Sequence, residues 1–166
     1  MSRRLSLRDP IGYELRRSRA QRRVGFGAEC SWCGEDRPEA LIAGSSPLIC
    51  AECRREADEQ PVMDLHHVSG RANDSLTIPV PVNDHRAELS TAMMDWPKET
   101  RENPDGSHLL AIAGRIRGFC DIHIYLMESL LLPSAELLEH LHALFAKRLG
   151  RKYWTKPVSQ RYRAKD

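Results

Sequence analysis

The chain has 166 residues, the size of one domain with some additional helices, and its 41% of apolar residues is enough to form a core. It contains no apolar run of about 18 residues, which excludes a membrane span, and its polar, charged start lacks the apolar segment of a secretion signal. These features predict a cytoplasmic protein, and in that compartment paired cysteines are more often metal ligands than disulfides.

Positive charge is concentrated at the two ends of the chain, although the overall net charge is only +2. Residues 1–29 have a net charge of +5 and residues 147–166 one of +7, whereas residues 30–146 have a net charge of −10. Basic ends suit a polyanion such as DNA, because Lys and Arg side chains displace counterions from phosphates. Solvated termini would give the same pattern, so the charge distribution alone leaves both interpretations open.

The first predicted element is a short basic helix. Asp9 is a typical N-cap residue and Pro10 is typical of a first helical position, so a helix is expected from Pro10 to about Arg23. Gly25 follows and is expected to end it. Residues 1–27 are therefore interpreted as a basic N-terminal arm that contains a helix.

Two C-x-x-C units follow, with Cys30 and Cys33 in the first and, after sixteen intervening residues, Cys50 and Cys53 in the second. Each unit can place two thiolates on one side of an ion, and two units complete the tetrahedral shell that zinc requires. A redox-active pair is the competing interpretation, but it is not favoured because no βαβ pattern flanks the cysteines. A shell of four thiolates has no open position, so the predicted Zn²⁺ is structural and any chemistry must lie elsewhere.

Three histidines form the second cluster. His66 and His67 are adjacent, and neighbouring side chains of a strand point to opposite faces, so the two cannot easily bind one metal ion but can divide two tasks. His85 comes nineteen residues after His66, beyond an extended segment at 76–82 whose prolines favour an edge strand. A hairpin followed by a helix would bring His85 beside His66, which predicts a two-histidine metal site with open coordination positions.

The same segment resembles the HNH endonucleases, also called ββα-metal or His-Me finger proteins. The resemblance rests on Leu65-His66-His67-Val68, on the turn Gly70-Arg71-Ala72-Asn73, and on His85 at the head of a helix. The two flanking C-x-x-C units occur in many such proteins and reinforce it, and it covers about residues 28–94. It implies an α+β fold in which zinc staples a ββα-metal hairpin.

The resemblance also implies a division of roles among the histidines. His66 and His85 match the positions that hold a divalent cation, Mg²⁺ or Mn²⁺, and His67 matches the general base that activates water. Leu89 stands one turn beyond His85, so the cation would have two firm protein ligands, with water and phosphate completing its shell. The implied activity is metal-dependent hydrolysis of phosphodiester bonds in DNA.

Four further residues belong to this predicted site. The asparagine of the family helps to hold the loop that positions the base; Asn73 is the better match here, and Asn83 is the alternative. Arg71 and Arg86 flank the histidines and are candidates for phosphate contacts. Solvation or pairing with nearby carboxylates would explain the two arginines equally well.

The C-terminal part is predicted to be helical. Residues 95–106, which are rich in proline and charge, are interpreted as a linker, and apolar residues at spacings of three and four predict helices across 107–150. Pro133 is expected to break these helices into an antiparallel helical hairpin, followed by a basic tail at 151–166. The apolar run at 130–132 suits either a core or a face for a homodimer or a protein partner.

The leading interpretation of the sequence is therefore an HNH endonuclease that cuts DNA, as a phage, mobile element or bacterial defence system would use. The alternative is a non-catalytic zinc module that binds nucleic acid or a partner protein, and such a module would not need a base at position 67. A third interpretation is a zinc-dependent regulator whose basic N-terminal helix reads DNA.

Overall fold

The structure is a computed structural model that describes residues 9–155. The chain divides into two compact units between Ile124 and Tyr125. The first unit combines helices with a two-stranded antiparallel sheet, which confirms the predicted α+β class. Its elements in chain order are α1 (Pro10–Val24), α2 (Ala51–Ala57), β1 (Met63–His67), β2 (Thr77–Pro81), α3 (Val82–Asp84), a π-helical turn (His85–Leu89), α4 (Ser90–Met94), α5 (Lys98–Glu102) and α6 (His108–Leu126).

Helix α1 begins as the sequence predicts. The Asp9 side chain accepts a hydrogen bond of 3.1 Å from the amide two residues on, and Pro10 occupies the first helical position, where its missing N–H is tolerated. Gly25, with a φ of 101°, follows the last residue of the helix. Asp95 holds α1 against the rest of the unit, because its carboxylate accepts hydrogen bonds from the Arg16 guanidinium and from the Asp9 amide.

Residues 28–57 fold around the cysteines rather than around a large apolar core. Leu41 pairs with Cys50 in an isolated antiparallel bridge, and α2 begins directly after Cys50. A small cluster of buried side chains fills this lobe: Cys30, Leu41, Ile49, Cys50 and Cys53. Three of these five side chains carry sulfur, so the stability of this lobe depends on the interaction that holds the sulfur atoms together.

Strands β1 and β2 form an antiparallel hairpin in which His67 lies opposite Thr77. The prolines of β2 are tolerated because each strand of a two-stranded sheet is an edge strand. The chain passes from β2 directly into helix, and residues 82–94 are helical throughout. The order strand, strand, helix that was expected around the histidines is therefore observed, and His85 lies near the start of this helix.

Residues 95–106 are not a linker, so this prediction is wrong. They contain α5, and they bury the side chains of Trp96 and Asn103. The indole N–H of Trp96 donates a hydrogen bond of 2.8 Å to Asp121 of α6, and the Asn103 amide donates one of 2.9 Å to the side chain of Asn73. The prolines and charges of this segment therefore surround side chains that belong to the packed interior.

The predicted helical hairpin is also wrong. The backbone is helical from α6 through a second π-helical turn (Met127–Leu131) to the end of α7 (Leu132–Leu149), so the described residues contain no turn between 108 and 149. Pro133 lies in the first turn of α7, and the π-helical turn before it changes the hydrogen-bond pattern at the place where proline lacks an N–H. Gly150 follows the last residue of α7 as expected.

The second unit is described for residues 125–155. It consists of α7 with the end of the preceding helix and a 3₁₀ turn (Tyr153–Thr155), and none of the side chains in this described range is buried. Across residues 9–155, no helix combines the length and the hydropathy that crossing a membrane would require. The basic tail predicted at 151–166 lies outside the described residues from position 156 onward.

Candidate functional site

The four cysteines of the two C-x-x-C units come together in one cluster: Cys30, Cys33, Cys50 and Cys53. Their Sγ atoms all lie within 4.8 Å of one another, and the Sγ atoms of Cys33 and Cys50 are 3.6 Å apart. A zinc ion with bonds of about 2.3 Å to four sulfurs would place them about 3.8 Å apart, so the observed spacing fits such an ion. The cluster can hold a metal ion, as its sequence spacing predicts.

Backbone amides favour a thiolate at one position of this cluster. Burial of Cys30 works against ionisation, but amides that include those of Cys33 and Cys50 donate to its sulfur, and its pKa falls to about 6. Burial raises the pKa of the Cys33 and Cys53 thiols instead. Four thiolates this close together repel one another, so a divalent cation among them is what would allow all of them to ionise.

Asn83 joins the cysteine lobe to the helix that carries His85. The Asn83 side-chain oxygen accepts a hydrogen bond of 3.1 Å from the backbone N–H of Glu52. The backbone N–H of Asn83 donates one of 2.9 Å to the Glu52 carboxylate. Its side-chain nitrogen donates to Glu35 at 3.2 Å. Asn83 is buried and fully engaged in these contacts, so it fixes the start of the helix and does not line the histidine cavity.

Arg37 strengthens the same junction. Its guanidinium lies 2.7 Å from the Glu35 carboxylate and 2.8 Å from that of Asp84, the residue before His85. The hydrogen bonds from Arg37 hold the pKa of Glu35 below its usual range, and the two carboxylates raise that of Arg37. This ion-pair network was not predicted from the sequence, because Asp84 lies far along the chain from Glu35 and Arg37.

The rings of His66, on β1, and His85, on the helix after β2, lie close together. Their ring centroids are 5.2 Å apart, and the rings are nearly perpendicular, at 70°. His66 is 3% exposed, and its burial, with smaller effects of His85 and His67, lowers its pKa to about 4. A neutral imidazole has a lone pair free for a metal ion, so at neutral pH His66 is in the protonation state that metal binding requires.

Asp64 orients the ring of His85. The Asp64 carboxylate lies 3.1 Å from Nδ1 of His85 and 2.7 Å from the Arg55 guanidinium. Although burial raises it, the pKa of Asp64 is lowered overall by the hydrogen bonds from Arg55 and His85. A carboxylate on one ring nitrogen fixes the tautomer and leaves Nε2 as the nitrogen for a ligand. Asp64 could have been found from the sequence, because it lies two positions before His66 and so on the same face of β1.

His67 lines the same cavity as His66 and His85. The cavity has a volume of about 390 Å³, and Arg71 also lies in its wall. His67 is partly exposed, and its Nδ1 atom is buried without a hydrogen-bond partner among the described residues. Arg86, by contrast, does not line this cavity but lies in a neighbouring groove.

Asn73 holds the loop that follows His67 instead of lining the cavity. Its side-chain nitrogen donates to the carbonyl of Ser69 at 2.8 Å and to that of Thr100 at 2.7 Å. Its side-chain oxygen accepts from Asn103 at 2.9 Å. Asn73 is therefore a positioning residue. Two of its partners, Thr100 and Asn103, come from residues 95–106, which the sequence predicts to be a linker.

Comparisons of the chain with protein-family models, with curated proteins and with solved structures gave no match.

Proposed function

We propose that this protein is a metal-dependent nuclease of the HNH type that hydrolyses phosphodiester bonds in DNA. The observation that carries the proposal is the meeting of the His66 and His85 rings in the cavity that His67 also lines. Two of the imidazoles can hold a cation and the third can act as a base, and metal-assisted hydrolysis can use such a set. The hairpin followed by a helix, with a cysteine cluster attached to it, supports the same proposal.

His66 and His85 are the residues that would hold the cation. His66 is neutral, and the contact between Asp64 and Nδ1 of His85 leaves Nε2 of that ring for a metal ion. Two histidines leave positions for water and for a phosphate oxygen, which suits Mg²⁺ or Mn²⁺, and imidazole ligands also admit Zn²⁺ or Ni²⁺. When bound, the cation would stabilise negative charge on the phosphate and on the departing oxygen.

His67 would act as the general base. Its imidazole takes a proton from a water molecule whose oxygen forms a bond to phosphorus, and the bond from phosphorus to the sugar oxygen breaks. The departing sugar oxygen takes up a proton from solvent. Arg71, in the wall of the same cavity, is in a position to contact the phosphate that is cut.

A non-catalytic zinc-binding module for nucleic acid or a protein is the second candidate. It is favoured by one observation: Asp64, the carboxylate beside the histidines, already pairs with Arg55 and His85. No cluster of three or more ligand residues is found in the described residues apart from the cysteines. A module of this kind would bind DNA without cutting it.

Nicking of supercoiled plasmid, with Mn²⁺ or Mg²⁺ and with each ion withheld, separates the two candidates. We expect cleavage by the unmodified chain and a loss of about 100-fold or more in His67→Ala, since general bases contribute on the order of 10² to 10⁴ in rate. His108→Ala is the matched control, because His108 is exposed at the start of α6. Full activity of a folded, zinc-loaded His67→Ala protein would refute the assignment of the base, and binding without any cleavage by the unmodified chain would favour the second candidate.

A further inference from the structure

A second groove lies beside the histidine cavity, between α1 and the helix that follows β2. Its volume is about 510 Å³. The arginines that line it, which define what we call the arginine groove, are Arg16, Arg19, Arg23 and Arg86. Glu39 is the one acidic residue among the described residues of its lining. With four arginines against one glutamate, the lining of the groove is strongly cationic.

The groove has a fixed geometry because α1 is held in place. Arg16 and the Asp9 amide both bind the carboxylate of Asp95, which is almost completely buried. Arg19 and Arg23 follow Arg16 at spacings of three and four, so they lie on the same face of α1. From Arg16 to Arg23 the helix rises about 10 Å.

Three of the four guanidinium groups are free to bind a ligand. Arg16 is engaged by Asp95, whereas Arg19, Arg23 and Arg86 are exposed and have no ion pair or side-chain hydrogen bond among the described residues. Unpaired charges that line a groove attract a polyanion more strongly than the same charges spread over a surface. The groove is therefore suited to several negative charges in a row.

The arginine groove adjoins the histidine cavity. Ser90 and Met94 line both, so a strand bound in the groove lies close to the cavity of His66, His67 and His85. We propose that the arginine groove binds the phosphate backbone of the DNA strand next to the bond that is cut. The position of the strand relative to the cut rests on the proposed nuclease function, whereas the binding itself does not.

The phosphates of a nucleic-acid strand suit this lining. All four basic residues are arginines, whose planar fork makes paired hydrogen bonds with phosphate oxygens. Phosphates of one DNA strand follow one another about every 3.4 Å along the duplex axis, so the 10 Å between Arg16 and Arg23 corresponds to about three of them. The arginine-bearing face of α1 is thus long enough to follow about three phosphates of one strand.

The test measures DNA binding without cleavage. The full-length chain carrying Arg19→Gln, Arg23→Gln and Arg86→Gln is titrated against a short labelled duplex over a series of salt concentrations, with Ca²⁺ in place of Mg²⁺ or Mn²⁺. Losing three phosphate contacts should lower the slope of log affinity against log salt by between two and three and weaken binding roughly 100-fold at 0.1 M salt. The matched control removes three charges outside the groove, with Arg22→Gln, Arg54→Gln and Lys98→Gln, and should change the slope by less than about one.

Two results would overturn the inference. One is an equal loss of affinity and slope in the groove variant and in the control; the other is displacement of the duplex by polyglutamate as readily as by unlabelled DNA.

Plasmid nicking separates this inference from the proposed function. Nicking by the unmodified chain together with normal binding by the groove variant rejects the groove alone. Absence of nicking together with lost binding in that variant rejects the nuclease and supports the groove as a DNA site.

Discussion

Gly118 of α6 lies directly against the backbone carbonyl of Val68, the residue that follows His67, and a Cβ atom at position 118 would overlap that carbonyl. One turn earlier, a Cβ at Gly114 would come within 2.9 Å of the Ser69 carbonyl. Two glycines four residues apart therefore let α6 touch the loop after β1. Helix α6 and Asn73 both contact this loop, which fixes the backbone at the end of the strand that carries His67.

Replacing Gly118 by alanine should destabilise the first unit. Alanine favours a helix over glycine by about 0.5–1 kcal/mol, but the overlap with the Val68 carbonyl forces a backbone shift that we expect to cost about 1–3 kcal/mol. Urea denaturation of the variant should show a lower free energy of unfolding. Ile116→Ala on the same helix is the control, because Ile116 is 61% exposed and its loss should change stability by about 0.5 kcal/mol or less. A more stable Gly118→Ala protein would contradict the close contact.

Removing the zinc ion that we propose for the four cysteines should unfold the cysteine lobe and loosen the start of the helix that carries His85. The lobe has few buried apolar side chains besides the cysteines, and Asn83 and Arg37 connect it to that helix. We expect one zinc ion per chain by elemental analysis, and we expect Cys50→Ser to lose it together with much of the thermal stability. Cys120→Ser should retain the ion, since Cys120 lies outside the cluster. Equal zinc content in the two variants would rule out the four-thiolate site.

Asp64→Asn should weaken the binding of the cation that we propose for His66 and His85, without unfolding the protein. The change removes the negative charge that orients His85, and loss of such a partner typically costs about 10- to 100-fold in metal affinity or activity. The measurement is the Mn²⁺ concentration that gives half-maximal plasmid nicking, which a purely structural defect would leave unchanged. Asp105→Asn, at an exposed position, is the control. An unchanged Mn²⁺ requirement in Asp64→Asn would show that Asp64 does not support a metal ligand.

What the sequence predicts well here is local. The C-x-x-C spacing predicts the cysteine cluster, and the proline-containing extended segment between His66 and His85 predicts the hairpin that returns one histidine to the other. Each of these follows from the geometry of a short piece of chain. The helix over Pro10–Val24 is predicted for the same reason, since its N-cap and its terminal glycine are both local signals.

The failures concern contacts that no local signal specifies. Asn103 is buried against Asn73, thirty positions away along the chain, although the sequence around Asn103 is polar and contains prolines. The ion pair between Arg37 and Asp84 likewise joins residues that are far apart along the chain. The sequence predicts that Pro133 breaks the helix, but a proline in the first turn of a helix is tolerated. The π-helical turn before it could not be recognised from the spacing of the apolar residues alone.

The second unit should dimerise through α7. A single amphipathic helix is barely stable in water, and large exposed apolar patches mark interaction sites. Along and just before α7, the following side chains are 42–67% exposed: Leu130, Leu137, Leu138, Leu144 and Phe145. Acidic residues stand in the first half of α7 and basic residues in its last turn, so two copies that pair in antiparallel fashion would place opposite charges together.

Light scattering after size exclusion tests this prediction directly. The chain has a mass of 18.9 kDa, and we expect about twice that value in solution. Leu138→Glu should give the monomer mass, because a charge buried in an apolar interface without a partner is costly. Leu109→Glu, a change at a more exposed leucine of α6, should leave the dimer intact. If the unmodified chain is already a monomer at micromolar concentration, a second copy does not cover the apolar face of α7, and a different protein becomes the partner to seek.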